Sequence, residues 1–268
     1  RTDWDTNKPK ELWRVPVGAG YGSCAVVGGK VYVQDHRGDT ERVVCLDAMT
    51  GKQLWEHAST VGRIGTGLGY ETGSRATPTV SGNAVYAVGA AGKLLALEPA
   101  GEGVKVLWEH ELLSEFAAPM PEWGVACSPL VLGELVIVLP GGKKGAVVAF
   151  DRRTGDVRWT AGANPPGYSS AVSATVGGLE TVFAFMGDAL LAVRASDGKV
   201  MNSFEWETLV VELIRCGCDL KQENASSKTP EAYVGRSLKA LFTKDEVRRR
   251  QEGEKVKARM RSQQGGSR

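Results

Sequence analysis

The sequence predicts an all-β fold, a partial β-propeller of about four four-stranded blades. The first observation behind this prediction is a repeated eleven-residue motif at residues 45–55 and 149–159. Stretched or altered copies of the motif occur at residues 96–108 and 192–202. A motif that recurs about every 40–50 residues between alternating apolar runs is typical of radial all-β repeat architectures.

The second observation is a constant distance between the first strand of a repeat and the tryptophan that ends the motif. Thirty residues separate Ala25 from Trp55, Pro78 from Trp108 and Pro129 from Trp159, and 31 separate Ala171 from Asn202. Trp13 precedes Ala25 by 12 residues, as Trp159 precedes Ala171. We therefore expect Trp13 to belong to the last strand of a preceding blade.

Each repeat predicts four strands with short turns. The first strand is a short apolar run, and a glycine-containing turn leads into the second strand. The fourth strand carries the tryptophan of the motif. The third strands are predicted to end at Asp47, Glu98, Asp151 and Arg194. The predicted blades cover about residues 20–57, 75–110, 126–162 and 168–207.

The motif has a physical explanation. Its Asp can accept hydrogen bonds from backbone N–H groups two or three residues further on. Its Gly can adopt the positive φ that closes the hairpin, and its Trp is large enough to fill the contact between blades. The second repeat has two extra residues in this turn. The predicted blade-docking residues are Asp47, Gly51, Trp55, Trp108, Asp151, Gly155 and Trp159.

The pattern Ala-x-Asp-x-x-x-Gly-x-x-x-Trp at residues 149–159 resembles the tryptophan-docking motif of the quinoprotein, or PQQ-like, β-propeller family. The resemblance covers about residues 10–207. It implies blades stacked by tryptophan contacts, a periplasmic or extracellular location, and a chain that supplies part of a propeller. The family includes quinone-dependent alcohol and sugar dehydrogenases and also members that bind no quinone.

The resemblance implies that cofactor-binding members stack the quinone on a disulfide between adjacent cysteines and hold calcium with Glu, Asn and Asp. No two cysteines are adjacent here, and Cys216 and Cys218 lie outside the repeats. We therefore expect a binding or scaffolding module without catalytic residues or a cofactor, whose partner is a protein or peptide. The alternative is a fragment of a PQQ- and calcium-dependent alcohol or sugar dehydrogenase.

Four aromatic residues each precede the first strand of a repeat, namely Tyr21, Tyr70, Trp123 and Tyr168. This recurrence predicts aromatics near one mouth of a central channel, where they either bind a ligand or peptide or simply pack. The long connections at about residues 58–75 and 111–126 are expected on one face, where binding usually occurs.

The histidines and three of the cysteines are predicted to be structural. His57 and His110 each follow a motif tryptophan by two residues, so they fall on different blades, and with His36 they make a poor metal set. Cys24, Cys45 and Cys127 occupy apolar positions and are expected to be buried as small hydrophobic side chains.

The repeat pattern stops at residue 208, and the tail (residues 208–268) differs in composition. Residues 209–268 carry 14 Lys and Arg against 8 Asp and Glu, whereas the whole chain has a net charge of +2. Its pattern predicts short helices followed by a disordered end. Three interpretations remain open: a basic appendage for acidic partners such as nucleic acid, a helical module that resembles the end of a BEN domain, or non-native sequence after a frameshift. No apolar run reaches the ~18 residues of a membrane helix.

Overall fold

A computed structural model describes residues 3, 6–61, 73–101 and 103–205. Its internal contacts divide the chain into Arg1–Ser203 and Phe204–Arg268. Everything below concerns the first unit, apart from the end of the last strand. The predicted tail, with Cys216 and Cys218, lies outside the described residues, as does Tyr70.

The described residues form four antiparallel sheets, each with its strands in chain order, which we call blades 1 to 4. Blade 1 contains β1 (Ala25–Val27), β2 (Lys30–Arg37), β3 (Thr40–Asp47) and β4 (Gln53–Thr60). Blade 2 contains β5 (Thr79–Ser81), β6 (Ala84–Val88), β7 (Lys93–Ala100) and β8 (Gly103–Glu111). Blade 3 contains β9 (Leu130–Leu132), β10 (Leu135–Val138), β11 (Val147–Asp151) and β12 (Val157–Ala161). Blade 4 contains β13 (Val172–Val176), β14 (Leu179–Phe185), β15 (Ala189–Arg194) and β16 (Val200–Glu205).

This arrangement confirms the predicted fold class, a partial propeller of four-stranded blades. The first strands of successive blades touch, β1 against β5 and β5 against β9. Tight glycine turns connect the first two strands of each blade. In blade 1 that turn is Gly28–Gly29, with φ of 57° and 73°, which is the left-handed backbone that a two-residue hairpin turn requires.

The second and third strands of the middle blades form the core. All five residues of β11 are buried, as are four of the five residues of β6. Such strands are apolar on both faces because a neighbouring blade covers each face of the sheet. One hydrophobic cluster runs through blades 2, 3 and 4, and a second joins blade 1 to blade 2.

The secondary structure differs from the sequence predictions at three places. Trp13 lies in a segment without strand structure, although its side chain packs against blade 1. Strand β7 continues to Ala100 instead of ending at Glu98, because the two extra residues extend the ladder with Pro99 opposite Val104. A single helical turn, α1 (Leu112–Glu115), follows β8.

The prediction that Cys24 is buried was wrong, because this residue is exposed while Cys45 and Cys127 are buried. Cys24 directly precedes β1, and no preceding sheet covers that position within the described residues. Burial raises the pKa of the Cys127 thiol to about 11, so it remains protonated and unreactive at neutral pH.

Candidate functional site

A hydrogen bond from the motif tryptophan of the earlier blade joins blade 2 to blade 3 and blade 3 to blade 4. Trp159 Nε1 donates to the backbone oxygen of Ala195 at 2.9 Å, and Trp108 Nε1 donates to that of Arg152 at 3.1 Å. Trp13 repeats the contact on blade 1 by donating to Ala48 O at 3.0 Å. Each acceptor directly follows the end of a third strand, so the three contacts are equivalent.

In each turn that accepts one of these hydrogen bonds, a glycine packs against the ring of the donating tryptophan. A Cβ placed on Gly155 would lie 2.7 Å from the Trp108 ring, and one on Gly198 would lie 2.8 Å from the Trp159 ring. Gly51 has the same relationship to Trp13. All three glycines also have φ between 70° and 80°. The turn therefore requires glycine twice, for its backbone conformation and for the space that the tryptophan occupies.

The motif aspartates hold the same turns. Asp151 Oδ1 accepts hydrogen bonds from the backbone N–H groups of Arg153 and Thr154 at 2.8 and 3.0 Å. Arg158 Nη2 lies 2.7 Å from Asp151 Oδ2. The two backbone N–H donors, and then Arg158, lower the pKa of Asp151 to about 2. Asp47 accepts equivalent bonds from Met49 and Thr50, and chiefly the Thr50 hydroxyl lowers its pKa.

Trp55 is the exception among the motif tryptophans. It is buried between blades 1 and 2 at 6% exposure, yet its Nε1 has no hydrogen-bond acceptor among the described residues. The turn that faces it is the stretched turn of blade 2, where the ladder continues to the pair Ala100 and Gly103. The extra residues therefore replace the compact turn that supplies an acceptor carbonyl in blades 1, 3 and 4.

The three histidines make separate contacts within or between blades and do not come together at one site. His110 Nε2 lies 2.8 Å from Gly155 O of blade 3, and its Nδ1 lies 2.7 Å from Glu115 Oε2. His57 lines a small cavity between blades 1 and 2, and burial lowers its pKa. His36 is buried in β2 and its backbone pairs with Ala19.

The same cavity contains the polar junction between blades 1 and 2. Glu41 Oε1 accepts from Ser74 Oγ at 2.9 Å and from the Ala90 N–H at 2.7 Å. Gln34 Nε2 donates to Val88 O at 3.1 Å. Gly89 leaves room for the carboxylate, since a Cβ there would lie 2.2 Å from Glu41 Oε2. Polar side chains of blade 1 thus satisfy backbone groups of blade 2.

A row of backbone-to-hydroxyl hydrogen bonds runs across all four blades just before their first strands. Ser23 N donates to Thr77 Oγ1 at 3.0 Å, Thr77 N donates to Ser128 Oγ at 2.9 Å, and Ser128 N donates to Ser170 Oγ at 2.8 Å. Each blade is therefore aligned on the next at this end of its sheet.

Three of the four predicted aromatic residues are connected at this end, and the fourth, Tyr70, lies outside the described residues. The Arg75 guanidinium lies 4.6 Å from the centre of the Tyr21 ring and 5.8 Å from that of Trp123. Arg75 Nε also donates to the Trp123 carbonyl, and the Trp123 N–H donates to Tyr168 Oη at 3.2 Å. We call Tyr21, Arg75, Trp123 and Tyr168 the aromatic–arginine row.

The row takes one residue from the segment before each of the four first strands. Tyr21 and Tyr168 are 57% and 49% exposed, so much of the row is accessible to a ligand. Arg75 was missed from the sequence. It precedes Pro78 by three residues, as Tyr168 precedes Ala171, so an alignment of the repeats in this register would have found it.

The sequence profile of the family described as outer membrane protein assembly factor BamB matches residues 2–105 and 68–208, which is more than half of the chain. The chain belongs to this PQQ-like propeller family. Curated protein sequences provide no match. Two solved structures show the same fold at low sequence identity, and neither is spanned in full by this chain.

BamB from Moraxella catarrhalis aligns with a TM-score of 0.52 at 16% identity, over 73% of this chain and 53% of BamB. The quinohemoprotein alcohol dehydrogenase from Comamonas testosteroni aligns with a TM-score of 0.51 at 17% identity, over 72% of this chain and 35% of the enzyme. The chain thus spans about half of the first protein and about a third of the second.

Within the residues that the structure describes, this PQQ-like chain does not assemble the adjacent cysteines and metal ligands that the resemblance implies for quinone-binding members. Cys24, Cys45 and Cys127 are free thiols at separate positions, and no two cysteines are adjacent in the sequence. Among the described residues, no group of three or more His, Cys, Asp or Glu side chains is arranged to hold a metal ion. No helix in the described part of the chain is long and apolar enough to cross a membrane.

Proposed function

We propose that this PQQ-like propeller chain is a binding or scaffolding module whose partner is a protein or peptide, and that it performs no catalysis. The observation that carries the proposal is the aromatic–arginine row. Tyr21 and Tyr168 are exposed while hydrogen bonds and ring contacts hold Arg75 and Trp123 in place. Fixed, exposed aromatic and arginine side chains are the residue types that dominate binding energy at protein interfaces.

The family description also supports a partner protein, because it names an assembly factor. A role in assembly at the outer membrane would place this chain in the periplasm. The proposed partner surface is the end of the blades that carries the row, where the segments before the first strands meet. The rigid contacts between blades would then act to hold the row in one geometry.

Site-specific photocross-linking tests the binding proposal. A photoreactive phenylalanine at position 168 is expected to give one discrete adduct in cells of the source organism. The same residue at position 49 provides the control, because Met49 is 70% exposed on a blade-docking turn away from the row. Equal adducts at both positions, or none at position 168, would contradict a partner surface at the row.

The rival function is a fragment of a quinone-dependent alcohol or sugar dehydrogenase, which shares the fold. Reconstitution with PQQ and Ca²⁺, followed by a dye-coupled assay with alcohols and sugars, separates the two functions. We expect no turnover above that of the protein without quinone. Quinone-dependent turnover would contradict the proposal that the chain performs no catalysis. Nucleic-acid binding through residues 209–268 concerns residues outside the described structure and stays a prediction.

A further inference from the structure

Arg75 differs from the other arginines in the described part of the chain. Seven of them lie within ion-pairing distance of a carboxylate: Arg14, Arg37, Arg42, Arg152, Arg153, Arg158 and Arg194. Arg75 forms no such pair with any described residue. Its charge is held by the faces of two aromatic rings and by one backbone carbonyl.

The contacts of Arg75 fix its guanidinium and leave one edge without a partner among the described residues. In that part of the chain only Nε has a hydrogen-bond acceptor, the Trp123 carbonyl. The terminal nitrogens Nη1 and Nη2 carry the remaining donors of the planar group and bond to no described residue. Two parallel N–H groups on a planar, pre-positioned fork match the two oxygens of a carboxylate.

We propose that Arg75 receives a carboxylate from a partner peptide, and that Tyr21 and Tyr168 contact the apolar side chains beside it. The proposal rests on the binding function above and names the chemistry of the partner. A carboxylate would supply the ion pair that Arg75 does not form with any described residue, in a place where the aromatic rings exclude part of the water. The exposed tyrosines extend the surface to both sides of Arg75, which suits a peptide better than a small acid.

A matched peptide pair tests this inference on the full chain. Both peptides are labelled, blocked at both ends and made of Ser and Gly around a central Phe-Glu-Phe or Phe-Gln-Phe, so that they differ in one carboxylate. Fluorescence anisotropy gives the Kd of each peptide. We expect the Glu peptide to bind at least about tenfold more tightly, as befits a hydrogen bond between charged groups.

Two arginine variants assign this preference to Arg75. Arg75→Gln should remove the preference for the Glu peptide. Arg153→Gln, the same change at an exposed arginine on blade 3, should leave it intact. Arg75→Lys keeps the charge but not the planar fork, so we expect a smaller preference for the Glu peptide. Peptide binding that remains in this variant shows that replacing Arg75 does not unfold the chain.

The outcomes separate this inference from the binding function itself. Equal Kd values for the two peptides, binding of neither peptide, or a preference that persists in Arg75→Gln would overturn the carboxylate proposal. Competition by free glutarate at the concentration at which the peptide binds would instead show a site for small acids. In each case a discrete cross-link at position 168 would still support a partner surface.

Discussion

The indole N–H of Trp159 donates a hydrogen bond to the backbone oxygen of Ala195 at 2.9 Å, across the boundary between blades 3 and 4. The indole N–H of Trp55, at the boundary between blades 1 and 2, is buried and has no acceptor in the part of the chain that the structure describes. These two tryptophans occupy the same position in the repeat and differ in one hydrogen bond. The stability of the chain should therefore depend on them unequally.

Replacing each of these tryptophans by phenylalanine measures that difference. Trp159→Phe loses part of the ring and the hydrogen bond, and it leaves Ala195 O unpaired. Trp55→Phe loses the same part of the ring but also removes a buried donor without an acceptor. We expect Trp159→Phe to lower the free energy of unfolding by about 1–2 kcal/mol more than Trp55→Phe does. Urea unfolding with a common m-value checks this, and equal losses would contradict it.

Grafting the compact turn of blade 3 into blade 2 should repair the contact of Trp55. In this variant residues 98–107 are replaced by a copy of residues 151–158, which removes the two extra residues and restores a carbonyl after the third strand. We expect a gain of about 1–3 kcal/mol in the free energy of unfolding, because a buried donor becomes satisfied. The gain should shrink when Trp55→Phe is added. A gain that is independent of Trp55 would assign the effect to the turn itself.

Substitutions at Gly155 and Gly82 distinguish the two reasons for glycine in these turns, the positive φ and the space that a neighbouring tryptophan occupies. Gly82 has φ of 60° and open space around it, so Gly82→Ala should cost only the backbone strain of about 1–2 kcal/mol. Gly155→Ala should cost at least about 1 kcal/mol more, because its Cβ would meet the Trp108 ring at 2.7 Å. Thermal unfolding of the two variants is the measurement. A smaller loss at Gly155 than at Gly82 would argue against the packing of Trp108 on this turn.

The lowered pKa of Asp151 predicts that the folded protein loses stability in acid. Its pKa in the folded protein is about 2, below its ordinary value of 3.8, so the folded state favours the carboxylate. The resulting stabilisation is present above about pH 4 and is lost as the pH falls toward about 2. Asp151→Asn should therefore show a shallower loss of unfolding free energy between those two pH values. An unchanged pH profile in the variant would mean that other groups cause the acid sensitivity.

The repeat in the sequence predicts the framework well because the hydrogen bonds of its aspartates and the positive φ of its glycines act within a single turn. Third strands end at Asp47, Asp151 and Arg194 as the motif predicts. The failures concern effects between repeats. The spacing gives no sign that Trp55 Nε1 has no acceptor among the described residues, since that depends on how the ladder of the next blade continues past Glu98. Arg75 was missed because it stands where the other repeats have an aromatic residue, although its spacing to Pro78 equals that of Tyr168 to Ala171.

The hydrogen bonds that link Ser23, Thr77, Ser128 and Ser170 all point the same way along the chain. Each middle blade presents a donor to its successor and an acceptor to its predecessor through a single residue before its first strand. A duplicated gene segment that encodes one such blade would therefore find a matching donor and acceptor for this row of hydrogen bonds on either side. This head-to-tail polarity explains how an array of this kind could lengthen in evolution one unit at a time.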